Sequence, residues 1–176
     1  PWQARLPSVG TLKALQGVEL SLEVAGTVTE LKFESGQKVK AGQPLLQLDS
    51  AVEAALLETA KAHLGLAQLD FGRGSQLIDS RAISKGEYDR LSAVLQKERA
   101  TVNQLNAALA KKRILAPFSG TIGIRQVDIG DYLASGTKIA TLQDLSSLYA
   151  DFYVPEQSVP KLAIGQPVNI SAAAYP

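Results

Sequence analysis

Apolar residues recur at helical spacing in two long stretches of this chain. Leu57, Ala60, Leu64, Ala67, Phe71, Gly74 and Ile78 alternate steps of three and four residues, which lays one continuous stripe along a helix. Tyr88, Leu91, Leu95, Glu98, Val102, Leu105 and Leu109 draw a second stripe in the same way. A Ser-x-x-Glu sequence opens each stretch, Ser50 to Glu53 and Ser84 to Glu87, the pattern in which a hydroxyl and a carboxylate cap free N–H groups of the first turn. Two seams joined by a short link predict an antiparallel helical hairpin over 50–112. Arms of about 28 residues would reach roughly 40 Å at 1.5 Å rise per residue, far beyond what covering a small β-domain requires.

Outside the hairpin the pattern changes to alternation broken by glycine, as in Val28-Thr29-Glu30-Leu31-Lys32-Phe33 followed by Glu34-Ser35-Gly36-Gln37. That predicts short strands and tight turns. An internal repeat lies here. At an offset of 94 positions Gly26 falls on Gly120, Thr27 on Thr121, Gly36 on Gly130, Gly42 on Gly136 and Leu48 on Leu142, without a gap. Val28 meets Ile122, Phe33 meets Val127, Glu34 meets Asp128, Val39 meets Leu133 and Leu45 meets Ile139. A lone copy of about 30 residues buries too little apolar surface to fold, so the copies are expected to pair into one small β-domain from which the hairpin leaves and to which it returns. Asp49-Ser50 marks the exit, and Ala116-Pro117 marks the return because proline disfavours helix at the residue before it.

The ends add further β-like runs. Ala4 to Leu6, Val9 to Leu15 and Val18 to Val24 are separated by Pro7, Gly10 and Gly17. Leu148, Ala150, Phe152 and Val154 alternate with Tyr149, Asp151 and Tyr153, which gives one apolar strand face. A short helix is expected from Pro155 to Ala163, then a strand over Gln166 to Ser171.

Composition narrows the chemistry. The 176 residues are 45% hydrophobic and 20% charged with a net charge of +1, which gives no electrostatic case for nucleic acid. Lys111-Lys112-Arg113, the one basic cluster, complements the negative end of the return helix. Cysteine and methionine are absent, and the single histidine, His63, lies among alanines and leucines of the first helix. No soft-metal site is expected, no cofactor, and no catalytic constellation; phosphate loops and nucleophile elbows are missing from the sequence. No apolar run approaches the ~20 residues of a membrane span.

Three segments carry a family resemblance: Ala25-Gly26-Thr27-Val28, Glu34 to Leu45 (ESGQKVKAGQPL) and Ala116 to Ile122 (APFSGTI). They resemble the split lipoyl-like domain of periplasmic adaptors, also called membrane fusion proteins, and Leu148 to Gln157 resembles the opening of that family's β-barrel domain. The resemblance implies an α+β chain in several modules: an antiparallel coiled-coil hairpin inserted in a split lipoyl-like β-domain, followed by part of a β-barrel. In these terms 1–15 would join the barrel, 16–49 and 113–146 would be the two lipoyl-like halves, 50–112 the hairpin and 147–176 partial barrel. Gly26, Gly36, Gly42, Gly120, Gly130 and Gly136 would serve the lipoyl-like turns.

At the hairpin tip, Arg73, Leu77 and Ser84 match the spacing by which adaptors of this family engage an outer-membrane channel. Arg73 and Leu77 lie four apart on one helical face, a guanidinium beside an apolar knob, with Ser84 across the turn, although Ser84 also has a place as a helix cap. Gly72 and Gly74 flank Arg73 and weaken the helix there. The family expectation is a non-enzymatic adaptor of a tripartite efflux system of the resistance-nodulation-division type. It would sit in the periplasm, attached to the inner membrane in the full-length protein. Its partners would be an inner-membrane transporter, an outer-membrane channel and other copies of itself in a ring, hexameric in the assembled pump. ABC-type export and type I secretion use the same modules. A lipoyl or biotinyl carrier domain would share the β-fold, but neither Asp-Lys-Ala nor Met-Lys-Met is present to carry the modified lysine.

Overall fold

The computed structural model describes residues 6–78 and 80–171. In chain order the elements are β1 (Gly10–Ser21), β2 (Gly26–Leu31), β3 (Lys38–Val39), β4 (Pro44–Leu48), α1 (Ala51–Ile78), α2 (Lys85–Lys111), β5 (Arg113–Leu115), β6 (Gly120–Ile122), β7 (Tyr132–Leu133) and β8 (Lys138–Phe152). Two four-stranded sheets result, in the orders β1-β8-β6-β3 and β5-β4-β2-β7.

The repeat explains that topology. Each copy supplies two neighbouring strands to one sheet and lends its short middle strand to the other, so β3 pairs with β6 and β7 pairs with β2. Turn hydrogen bonds follow the same exchange. Gly36 N–H donates to Ile122 C=O and Gly130 N–H to Val28 C=O, both at 2.9 Å; Gly42 N–H donates to Ala116 C=O at 2.7 Å and Gly136 N–H to Leu22 C=O at 2.8 Å. The last pair extends the repeat back to Leu22 and Ala116, where the residue types differ but both side chains are buried. One core fills the space between the sheets and takes equivalent positions from both copies: Val28 with Ile122, Leu45 with Ile139, Leu48 with Leu142.

Of the six repeat glycines, Gly36, Gly42, Gly130 and Gly136 have positive φ, from 77° to 93°, and make the turns. Gly26 and Gly120 instead open strands β2 and β6. A side chain at Gly120 would place its Cβ 2.4 Å from the backbone oxygen of Gln143, whereas at Gly26 the nearest atoms lie at 3.4 Å, on the Leu48 side chain.

Several boundaries differ from the alternation pattern. The runs Val9 to Leu15 and Val18 to Val24 form one strand ending at Ser21, because a bulge between Ala14 and Gln16 absorbs the change of register and Gly17 stays paired with Gln143. Leu148 to Phe152 is the end of the long β8 rather than a separate strand, and with β1 it continues the first sheet as a two-stranded ribbon, tied by an ion pair of 2.6 Å between Lys13 and Asp151. The expected helix at Pro155 is a single 3-10 element, Glu156–Lys161, with Pro155 as its cap and Pro160 inside it. Residues 166–171 make no strand. The run Ala4 to Leu6 falls largely outside the described residues.

The first helix is not capped by its Ser-x-x-Glu sequence. Asp49 accepts the Ala51 N–H at 3.0 Å, while Glu53 is drawn across to Lys112 at 2.9 Å, both side chains mostly buried at the base of the hairpin. The second box is half formed: Ser84 Oγ accepts the Glu87 N–H at 3.1 Å, and the Glu87 carboxylate turns to Arg90.

Two predictions follow from this packing. Gly120→Ala is expected to lower stability by about 2 kcal/mol or more through overpacking against backbone, with Gly26→Ala costing under about 1 kcal/mol; denaturant melts of both variants test the contrast. Hydrogen bonding to Lys112 holds the Glu53 carboxyl below the usual carboxylate range. Its contribution is therefore complete above the unfolded-state pKa and is lost as pH falls through the lower folded value. Between about pH 6 and pH 3 the native chain should lose on the order of 1 kcal/mol more stability than Glu53→Gln, measured by urea unfolding at each pH.

Candidate docking site at the hairpin tip

Helices of 28 and 27 residues pack on each other along their length and, among the described residues, meet the strands at the base alone. The predicted stripes are the contact. Leu57, Ala60, Ala67, Gly74 and Val102 are buried, and the other stripe residues are half-buried between the arms. Near the tip Phe71 and Tyr88 stack obliquely, their ring centroids 5.3 Å apart. At Gly74 the stripe receives the Leu91 side chain: a Cβ there would come within 2.6 Å of Leu91 Cδ1. The glycine that weakens the isolated helix thus makes room for Leu91 in its present position.

The link between the arms closes α1 with two backbone bonds, Ala82 N–H to Leu77 C=O at 2.9 Å and Arg81 N–H to Ile78 C=O at 3.0 Å. This is the Schellman arrangement, whose left-handed position is normally glycine. Here Arg81 fills it, with φ of 57°. Nothing in the local sequence marks that position, since arginine has no preference for the left-handed region.

Arg73 projects into solvent with its side chain 69% exposed and a loose 3.7 Å contact to Asp70. Leu77 is 43% exposed, one helical turn further toward the tip. Both therefore stand on the same open flank. Ser84 sits across the link, and its oxygen is engaged in capping α2, which leaves its O–H as a donor. Among the described residues no hydrogen bond or ion pair joins Arg73, Leu77 and Ser84 to one another. On α2 the Arg90 guanidinium holds the Glu87 carboxylate through two bonds, at 2.6 and 2.9 Å, which lowers the glutamate pKa and raises that of the arginine. The tip thus offers guanidinium donors and one apolar knob, a surface suited to carbonyl or carboxylate acceptors.

A second line runs down α1 from that knob. Val52, Leu56, Thr59, His63, Leu66, Asp70, Arg73 and Leu77 are spaced alternately four and three apart, and Val52, Leu56 and Leu66 are more than half exposed. The sequence pattern shows this line less plainly than the inner one, because Thr59, His63, Asp70 and Arg73 interrupt its apolar members.

Residues 16–144 match the family model described as RND MFP, barrel-sandwich hybrid domain. The chain belongs to the resistance-nodulation-division membrane fusion protein family. An uncharacterized protein of Haemophilus influenzae is 35% identical over 98% of the chain and 45% of its own length. The antibiotic efflux pump periplasmic linker protein ArpA of Pseudomonas putida is 35% identical over 81% of the chain and 39% of its length. Among solved structures, a MacA-MexA chimeric protein containing the Pseudomonas aeruginosa MexA alpha-hairpin domain superposes with a TM-score of 0.80 at 27% identity, over 88% of this chain and 56% of that one. This membrane fusion protein chain spans less than half the length of the curated relatives it matches.

The strained turn gives a direct test. Arg81→Gly removes the steric cost of the left-handed conformation, which exceeds the entropy that glycine adds to the unfolded chain, and should stabilise the protein by roughly 0.5 to 1 kcal/mol in thermal or urea melts.

Proposed function

We propose that this chain is the hairpin-bearing part of an adaptor subunit that links an inner-membrane efflux transporter to an outer-membrane channel in the periplasm. The observation that carries this reading is the hairpin: about 40 Å of paired helix, held at its base alone and ending in the exposed Arg73 and Leu77. Those residues, with the Ser84 hydroxyl, dock end-on with the channel, the guanidinium binding acceptor groups on its rim and the leucine packing beside them. The β-domain is the split lipoyl-like platform, and the ribbon of β1 and β8 is the root of a β-barrel. The relatives named as efflux-pump linkers support the same assignment.

The adaptor works as a ring. Its support is the outer line on α1, where the exposed Val52, Leu56, Leu66 and Leu77 recur at heptad spacing among polar residues: such a line suits a helix alongside better than a partner at the tip, and Val52 and Leu56 lie at the base, out of reach of anything bound end-on. Neighbouring copies would fill it, closing the ring if the rotation per subunit divides a full turn.

In cells carrying full-length adaptor, Arg73→Asp or Leu77→Asp at unchanged protein abundance should abolish export, read as increased drug susceptibility. Retained export in both variants would refute docking through this tip.

A further inference from the structure

The chain crosses between the β-domain and the hairpin twice, at the ends of β4 and α2, and one side chain lies between the crossings. Gln47 is half-buried on β4. Its Nε2 donates to the Leu48 carbonyl at 2.8 Å, to the Lys112 carbonyl at 3.3 Å and to Ser50 Oγ at 3.4 Å. Its Oε1 accepts from Arg113 Nε at 3.1 Å. Because Arg113 can only donate, this orientation of the amide is fixed. One residue thereby touches the end of β4, the start of α1, the end of α2 and the start of β5, and the Leu48 N–H reinforces it by donating to the same Lys112 carbonyl at 2.8 Å.

The internal repeat supplies a control within the molecule. Gln47 faces Arg113 across β4 and β5 as Thr141 faces Glu19 across β8 and β1. At that second site no helices leave, and the chain runs straight on as strand through Phe152. A short residue is enough there. The long amide and its arginine partner occur only where the hairpin departs.

From these contacts we infer that Gln47 is a positioning residue that sets the angle at which the hairpin leaves the β-domain, with Arg113 holding its amide in orientation. The outer ion pairs of the junction, Glu53 with Lys112 and Glu23 with Lys111, draw the arms down but join flexible side chains. Gln47 acts on the backbone carbonyl at which α2 ends. Leverage makes this consequential: on an arm of about 40 Å, a tilt of 10° carries the tip on the order of 7 Å. The geometric claim is independent of function; its bearing on export rests on the adaptor reading above.

The chain has no cysteine, so spin labels can be placed at introduced Gln76→Cys, near the tip of α1, and Lys40→Cys, in the exposed turn before β4. Pulsed electron spin resonance then reads the distance between tip and platform. Gln47→Thr, which copies the residue of the other repeat, is expected to broaden that distribution measurably, because a tilt of 10° moves the tip on the order of 7 Å sideways and the distance to the off-axis platform label by a fraction of that, with a cooperative melt retained. An unchanged width would overturn the inference, including an unchanged width with a lowered melting temperature, since that is what a residue that only stabilises the strand end would give. If Gln47→Thr does not fold, Gln47→Glu keeps an acceptor for Arg113, loses both amide donors and is held to the same criterion. Export by full-length adaptor bearing Gln47→Thr is scored separately: a broadened distribution with undiminished export leaves the positioning role standing and counts against the adaptor reading.

Discussion

Everything in this chain depends on the reciprocal exchange of strands between its two repeats. Neither copy has a sheet of its own, because the short strand that would complete it is paired with the other copy, and the turn glycines donate across the same boundary. The exchange makes one core from two sequence segments that lie on either side of about 70 residues. It also fixes where the hairpin can stand. β4 and β5 must pair for the second sheet to close, which brings the start of α1 and the end of α2 side by side whatever the helices themselves prefer.

That geometry turns a sequence insertion into a projecting arm. The two helices share an inner seam and are tied to the domain at their base through Gln47, Glu53 and Lys111 to Arg113. The basic cluster that reads as a complement to a helix dipole is spent on these contacts. Along the arm, stability comes from packing the seam, and at Gly74 a helix-weakening residue leaves room for the Leu91 side chain. At the tip the chain accepts a strained arginine to turn within a few residues.

The outer surface of the arm is asymmetric. One flank of α1 carries Val52, Leu56, Leu66 and Leu77, while the opposite flank carries Ala54, Glu58, Lys61, Gly65, Gln68 and Ser75, with Glu58 and Lys61 paired at 2.7 Å. A helix whose second heptad line carries exposed apolar residues among polar ones retains a packing surface after its own partner is satisfied. An adaptor that works in a ring and docks through its tip would use both.

Sequence alone determined the helices, their facing stripes and the existence of a duplicated β-unit, because periodicity and repeated glycines are local properties that any packing must respect. It marked Arg73, Leu77 and Ser84 by spacing and resemblance, and also marked Ser84 as the cap of α2, which its oxygen is. Tertiary structure decided the rest. Asp49 rather than Ser50 caps α1, Ser50 Oγ accepts instead from Gln47, and Glu53 pairs with Lys112, a residue nearly 60 positions away whose proximity exists only once β4 and β5 have paired. Gly26 and Gly120 lie in strands rather than turns, and a bulge merges two apparent N-terminal strands, since both outcomes depend on what lies across the sheet. Gln47 reads in sequence as one polar residue in an alternating strand; its four-way contact exists only where the repeat and the hairpin meet.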